Sequence, residues 1–233
     1  MNDAVIIGFG TVGKATANLF GIQKHFDLND SNITLIEAAK CKFIFLCLPT
    51  PIKNGEYDLS AIDGIVQQIS EYGCGGILVN RSTVTPGTAR HLAEKYQVPM
   101  VANPEFLTEA TAEYDSKHPD FILIGADDKK YSDAVKALYE GRLRGFDIIE
   151  TDTITAETVK LAMNSFYATK VIFANEIFDI CGRIGANYKT VKDAMYKSKW
   201  VAKNHLEINH NGGRGAKGKC LGKDLEAFSN YSQ

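Results

Sequence analysis

Cys220 lies in a run of glycines and lysines, Gly213-Arg214-Gly215-Ala216-Lys217-Gly218-Lys219-Cys220-Leu221-Gly222-Lys223-Asp224. Glycines beside a thiol let backbone come close to a substrate, and Lys217, Lys219 and Lys223 favour the thiolate, which is the nucleophile. Asp224, four residues on, suits either an acid–base role or an ion pair with a lysine. A second set of residues stands near the start of the chain. Gly8-Phe9-Gly10-Thr11-Val12-Gly13 follows an apolar run and opens a helical period. In that setting Gly8 permits a tight turn, Gly10 lets backbone approach a pyrophosphate, and Gly13 allows close helix–strand packing. The N–H groups of the helix start, at Thr11 and Val12, face the phosphates. Asp27 follows at about the expected distance. Its carboxylate would accept hydrogen bonds from both ribose hydroxyls and repel a 2′-phosphate, so NAD is preferred to NADP; Asp30 is the other candidate.

These groups need a scaffold, and the hydrophobic pattern supplies one. Apolar runs at 4–8, 25–28, 43–48, 77–80, 100–102, 121–124 and 148–150 read as strands. Helical periods at 12–20, 59–72, 86–95 and 132–143 fall between several of them. Phe43-Ile44-Phe45-Leu46 is apolar on both faces, as in a parallel sheet covered by helices. The alternation predicts an α/β fold. A Rossmann-like, doubly wound parallel sheet occupies 1–152, and a smaller all-helical domain occupies 153–233. One long helix, 157–183, dominates the second domain at roughly 40 Å; a second covers 189–197, and a polar, Gly-rich segment follows at 209–222. Val159, Leu161, Ala162, Phe166, Val171, Ile172, Phe173, Ile177 and Phe178 surround much of the long helix, and little chain follows to cover them. A homodimer through this helix is therefore expected.

Composition narrows the function classes. With 26 Lys+Arg against 28 Asp+Glu in 233 residues, nothing favours nucleic acid or an anionic membrane as partner. No apolar stretch is long enough to span a bilayer, and the N-terminus has none of the marks of a signal peptide. Five cysteines at irregular spacing predict reduced thiols in a cytoplasmic protein. Neither they nor the five histidines show ligand spacing, so no metal is expected.

Taken in order, GFGTVG at 8–13, CLPTP at 47–51, STVTPGT at 82–88, NPEFLTEA at 103–110 and the Cys220 segment resemble the UDP-glucose/GDP-mannose dehydrogenase family. The stretch Glu157-Thr158-Val159-Lys160-Leu161-Ala162-Met163-Asn164 is similar to that family's helix carrying a Lys and an Asn. The resemblance implies oxidation of a sugar's primary alcohol to a carboxylate with two NAD molecules. It assigns the thiohemiacetal and thioester to Cys220, oxyanion stabilisation to Lys160 and Asn164, and assistance in proton transfer to Asp224. Thr83 and Glu109 would hold a catalytic water and line the nicotinamide site. Pro49, Thr50 and Lys223 join the cofactor set, while Glu105, Phe106, Leu107 and Gly215 join Lys160 and Asn164 around the sugar. The i,i+4 spacing of Lys160 and Asn164 puts two donors on one helix face, suited to one developing oxyanion.

Three departures from the family stand out. Its third, nucleotide-sugar-binding domain would follow the cysteine segment, whereas this sequence ends at Gln233. Between Asp30 and Cys41 the chain is shorter, which predicts the loss of a helix and loop beside the adenosine. Gly222 and Lys217 replace the family's Pro and Gly. The sequence thus leaves open a minimal enzyme, one part of a split enzyme completed by another chain, an oxidoreductase for a smaller sugar phosphate, or a non-catalytic NAD-binding partner protein.

Overall fold

The structure, a computed structural model, describes residues 3–210, 213–215 and 221–231. The chain runs β1 (Ala4–Ile7), α1 (Thr11–Phe20), β2 (Lys24–Phe26), α2 (Leu35–Ala39) and β3 (Phe43–Leu46). Two short strands follow, β4 (Ile52–Lys53) and β5 (Glu56–Tyr57), then α3 (Ser60–Glu71), β6 (Ile77–Asn80), α4 (Thr88–Tyr96) and β7 (Met100–Ala102). Next come α5 (Ala112–Lys117), β8 (Phe121–Gly125), α6 (Lys129–Glu140), β9 (Asp147–Thr151) and the long α7 (Thr153–Ile184). The remaining elements are α8 (Tyr188–Met195), β10 (Asn209–His210), β11 (Gly213–Arg214) and α9 (Leu221–Tyr231). By Cα proximity the chain forms two compact units, residues 1–53 with 57–160, and 54–56 with 161–233.

In the first unit seven strands form one sheet in the order β2-β1-β3-β6-β7-β8-β9. Successive residues of each strand point to opposite faces, and the core divides accordingly. Val5, Ile7, Ile44, Leu46 and Leu78 pack with Ile62, Val66, Ile69 and Leu92 from α3 and α4. Ala4, Ile6, Phe43, Phe45, Ile77 and Val79 face the other way, onto Phe20 of α1 and Val135 and Tyr139 of α6. This is why the strand sequences are apolar without alternation.

The sheet is mostly parallel, with one difference from the expectation. β8 meets β7 antiparallel, at Ala102 opposite Gly125, while β9 returns parallel to β8. A parallel connection needs a crossover that carries the chain back along the sheet. Between β7 and β8 the only helix is the six-residue α5, about 9 Å long, so β8 starts beyond the carboxyl end of β7 and runs back.

Between Asp30 and Cys41, where the sequence predicts the loss of a helix and loop, the chain forms the short helix α2. Thr34 and Glu37 build a capping box at its start, with Thr34 N–H donating to Glu37 Oε2 at 2.8 Å and Glu37 N–H donating to Thr34 Oγ1 at 3.3 Å. Reciprocal bonds of this kind satisfy free N–H groups and let so short a helix form.

The second unit is built on α7, of 32 residues. Leu161, Ala168, Val171, Ala174 and Cys181 are its buried apolar residues from Leu161 onward, with Asn164 and Asn175 buried among them. The unit also contains the antiparallel pair β10–β11, and α9 begins inside the stretch read as polar and Gly-rich. Cys41, Cys47, Cys74 and Cys181 are free thiols. Among the described residues no helix is long and apolar enough to cross a membrane.

One surface network yields a pH signature. Glu150 on β9 accepts from Lys136 Nζ at 2.7 Å and Ser132 Oγ at 2.8 Å, which holds its carboxyl at about 2 against an ordinary 4.5. Because the folded value lies below the unfolded one, the contribution to stability is complete above 4.5 and is lost as pH falls toward about 2. Glu150→Gln is expected to cost about 1 kcal/mol at neutral pH, with the gap between variant and wild type closing across that acid window in urea melts.

Candidate functional site

The glycine loop leaves the carboxyl end of β1. Gly8 has φ +91, and a Cβ there would fall within 3.0 Å of the Cys47 carbonyl; one at Gly13 would collide with the Gly8 carbonyl oxygen. Gly10 differs: a Cβ on it meets nothing within 4 Å. It is the N-cap of α1 and offers no side-chain cap, so the first N–H groups of the helix, at Thr11, Val12 and Gly13, have no intrahelical partner. At the end of β2, Asp27 Oδ2 accepts the Phe9 N–H at 2.6 Å. Asp30 instead pairs with His25 Nε2 at 3.2 Å, which leaves Asp27 as the carboxylate beside the glycine loop. Open space over Gly10, a helix N-terminus and a ribose-height carboxylate fit a dinucleotide, as the sequence predicts.

Three further loops leave the carboxyl ends of β3, β6 and β7. They are laced together by side-chain and backbone hydrogen bonds. Leu48 N–H donates to Ser82 Oγ at 2.8 Å, Thr50 Oγ1 donates to the Thr83 carbonyl at 2.7 Å, and Asn103 N–H donates to the Asn80 carbonyl at 2.8 Å. Pro49 stands exposed between the first two contacts. Beneath them lies a residue the sequence reading passed over. Buried Arg81 donates through Nη1 to Asn103 Oδ1 and to Tyr139 Oη, both at 2.6 Å. Its position directly before the STVTPGT run was the available signal. Burial pushes the neighbouring Cys47 thiol up to about 11, so Cys47 stays protonated and is no nucleophile.

Lys160, in the third turn of α7, is buried with 5 % exposure, which rules out a snorkelling surface lysine. Its Nζ donates to the Glu105 carbonyl at 2.5 Å and lies 3.4 Å from Glu105 Oε1. The Phe106 ring is 5.2 Å from the ammonium and packs on Phe121 at 4.9 Å. Glu105 Oε2 also accepts the Leu107 N–H at 2.6 Å, which fixes that loop. Lys160 and Thr83 both line a cavity of about 10 Å³ together with Ser82 and Glu157. Glu109 stands exposed in the turn before α5.

In the second unit Asn164 Nδ2 donates to Asp224 Oδ2 at 2.6 Å. Asp224 is 1 % exposed, and Lys223 Nζ lies 3.4 Å from its Oδ1. Two predicted catalytic groups, Asn164 on α7 and Asp224 in the first turn of α9, are thus bonded partners, with predicted Lys223 beside them. Gly215 has φ +87 and open space at its Cβ position, which suits close approach by a ligand. Cys220, with Lys217 and Lys219, lies outside the described residues.

Comparisons with known proteins cover two long stretches of the chain. Residues 22–142 match the UDP-glucose/GDP-mannose dehydrogenase family, NAD binding domain, and residues 154–233 match the same family's central domain. A UDP-glucose 6-dehydrogenase of Rickettsia conorii is 34% identical over 213 residues, covering 87% of this chain and 48% of that protein. One from Bacillus subtilis is 35% identical over 200 residues, covering 82% and 44%. The chain therefore spans about half the length of the curated relatives it matches. A UDP-glucose dehydrogenase from Pyrobaculum islandicum superposes with a TM-score of 0.88 at 25% identity, over 100% of this chain and 64% of the other. A GDP-mannose dehydrogenase from Pseudomonas aeruginosa gives 0.76 at 25% identity, over 99% and 64%. The chain belongs to the UDP-glucose/GDP-mannose dehydrogenase family and carries its NAD-binding and central domains.

Proposed function

We propose that this chain oxidises the primary alcohol of a nucleotide sugar, of the UDP-glucose type, to the carboxylate. The observation that carries the reading is Lys160. Its ammonium is buried, fixed on the loop of Glu105, and shares a cavity with Thr83, so a donor is held where an oxyanion would form. Bound NAD supplies the hydride acceptor in both oxidations, held by the α1 N-terminus, Gly10 and Asp27. In the first oxidation the alcohol carbon loses a hydride and the hydroxyl loses its proton, giving the aldehyde. The Cys220 thiolate then adds to the carbonyl carbon, and Lys160 and Asn164 stabilise the oxyanion of the thiohemiacetal. A second hydride leaves that carbon as the thioester forms. Water, oriented by Thr83, attacks the thioester and yields the carboxylate. The sulfur departs as thiolate, and Asp224 helps move the water's proton. Glu109, exposed in this structure, joins the nicotinamide side.

The nucleotide half of the substrate is held by a completing chain or segment, because the relatives extend well beyond the matched region. A sugar phosphate without nucleotide is the weaker reading, since Arg214 is already engaged with Asn175 and Asp179. We also propose a cytoplasmic homodimer formed along α7. Phe166, Phe173, Ile180 and Ile184 are exposed there at intervals of seven, seven and four residues, which place them along one side of the helix. The four unpaired thiols support a reducing compartment.

Incubated with NAD and a panel of UDP- and GDP-sugars, the protein is expected to form two NADH per sugar, and Cys220→Ser is expected to abolish oxidation to the acid. Binding of NAD with no NADH from any sugar, alone or with the rest of a longer relative supplied in trans, would refute the reaction. Asp27→Asn should weaken NAD by roughly 1.5–3 kcal/mol while NADP binding holds or improves, as read by calorimetry. Sedimentation should give twice the 25.6 kDa chain mass, and Phe166→Asp with Phe173→Asp should return it to one.

A further inference from the structure

Glu157 is a carboxyl group with 4 % exposure, near the start of α7, and none of the roles above uses it. Its Oε2 accepts the Gly87 N–H at 2.6 Å, and its Oε1 accepts the Ala89 N–H at 2.9 Å. Both amides sit where the loop carrying Thr83 turns into α4. Gly87 has φ +93, a left-handed value that glycine adopts without strain, and it is the N-cap of α4 with no side-chain cap of its own. Glu157 supplies that cap from a different helix. Lys160 follows three residues later on α7, and Glu157, Lys160 and Thr83 line the same small cavity.

We infer that Glu157 is a positioning residue that ties the Thr83 loop to the turn of α7 carrying Lys160. The inference rests on the proposed reaction for its functional meaning, because Thr83 and Lys160 act there on the same carbon centre. Its physical basis is independent: one side chain receives two backbone bonds from the 83–89 segment and is rigidly linked to Lys160 by helix geometry. Sub-ångström placement of such groups governs turnover more than binding.

The strut is also sensitive to pH. Burial pushes the Glu157 carboxyl up to about 7, with the Asp127 carboxylate adding to the rise, while the backbone N–H donors at Gly87 and Ala89 oppose it. Asp127 belongs to the β8–α6 connection, where it bonds Thr153 and is held by Arg90 of α4 at 2.8 and 3.0 Å. Lys160 is the cation on α7 itself. A carboxylate is the stronger acceptor for amides, so the strut is tight above about 7 and slackens as the group takes up a proton below it.

The test has two readouts. In wild type, the amide proton shifts of Gly87 and Ala89 should titrate together with a midpoint near 7 and stay flat in Glu157→Gln; Gly87 and Ala89 amides that are the same in wild type and Glu157→Gln at every pH would overturn the inference. On a nucleotide sugar, Glu157→Gln should lower kcat about tenfold or more, with NAD affinity within about threefold, and the limb of the wild-type pH profile near 7 should vanish. Wild-type kcat with an unchanged pH profile in the variant would overturn it, as would NAD affinity falling in step with kcat. If wild-type protein oxidises no sugar, the reaction reading fails, and the change in the Gly87 and Ala89 amides between wild type and Glu157→Gln decides whether the strut exists.

Discussion

Backbone at the carboxyl end of β1 comes so close to β3 that no side chain fits between them. A Cβ on Gly8 would fall within 3.0 Å of the Cys47 carbonyl, and one on Gly13 would meet the Gly8 carbonyl oxygen. That constraint sets the rest of the first unit. It fixes the angle at which α1 leaves the sheet, points the free N–H groups of Thr11 and Val12 outward over Gly10, and brings Asp27 against Phe9 N–H. It also places the loop after β3 beside the loop after β6, where Ser82 and Thr83 receive bonds from Leu48 and Thr50. The glycine loop and the Ser82–Thr83 loop are therefore neighbours because one turn has room for nothing but glycine.

α7 carries a second set of buried polar groups. Glu157, Lys160 and Asn164 are all nearly buried, and each has a partner from another segment: the start of α4 for Glu157, the loop after β7 for Lys160, and α9 for Asn164. A buried ionic group left unpaired costs several kcal/mol, so these contacts are the condition for keeping such groups on a packed helix. A helix with this many buried polar residues is justified by what they hold.

Much of this was legible in the sequence for physical reasons. Runs such as Phe43-Ile44-Phe45-Leu46, apolar on both faces, read as strands covered on each side, and Gly8-Phe9-Gly10-Thr11-Val12-Gly13 placed between a strand and a helix leaves few alternatives. The direction of β8 was not legible, because hydrophobic period carries no sign; it follows from the shortness of α5. α2 was missed although Thr34-Leu35-Ile36-Glu37 spells a capping box, since five residues show no amphipathic period. Among site residues, Lys160, Glu105, Asn164 and Asp224 were named and are found paired. Glu157 and Arg81 were not singled out. An acidic residue near a helix start reads as solvated, and an arginine after a strand reads as surface; only the packing of α4, β7 and α6 around them reveals otherwise.

The central claim is that the ends of the parallel strands form one NAD site around the glycine turn. Titration of isotope-labelled protein with NAD, followed by backbone amide resonances, tests it directly. The account predicts saturable shifts centred on Gly10, Thr11, Val12 and Asp27, extending to Thr50 and Thr83. Absence of binding, or binding whose shifts leave the 8–13 turn untouched, would contradict it.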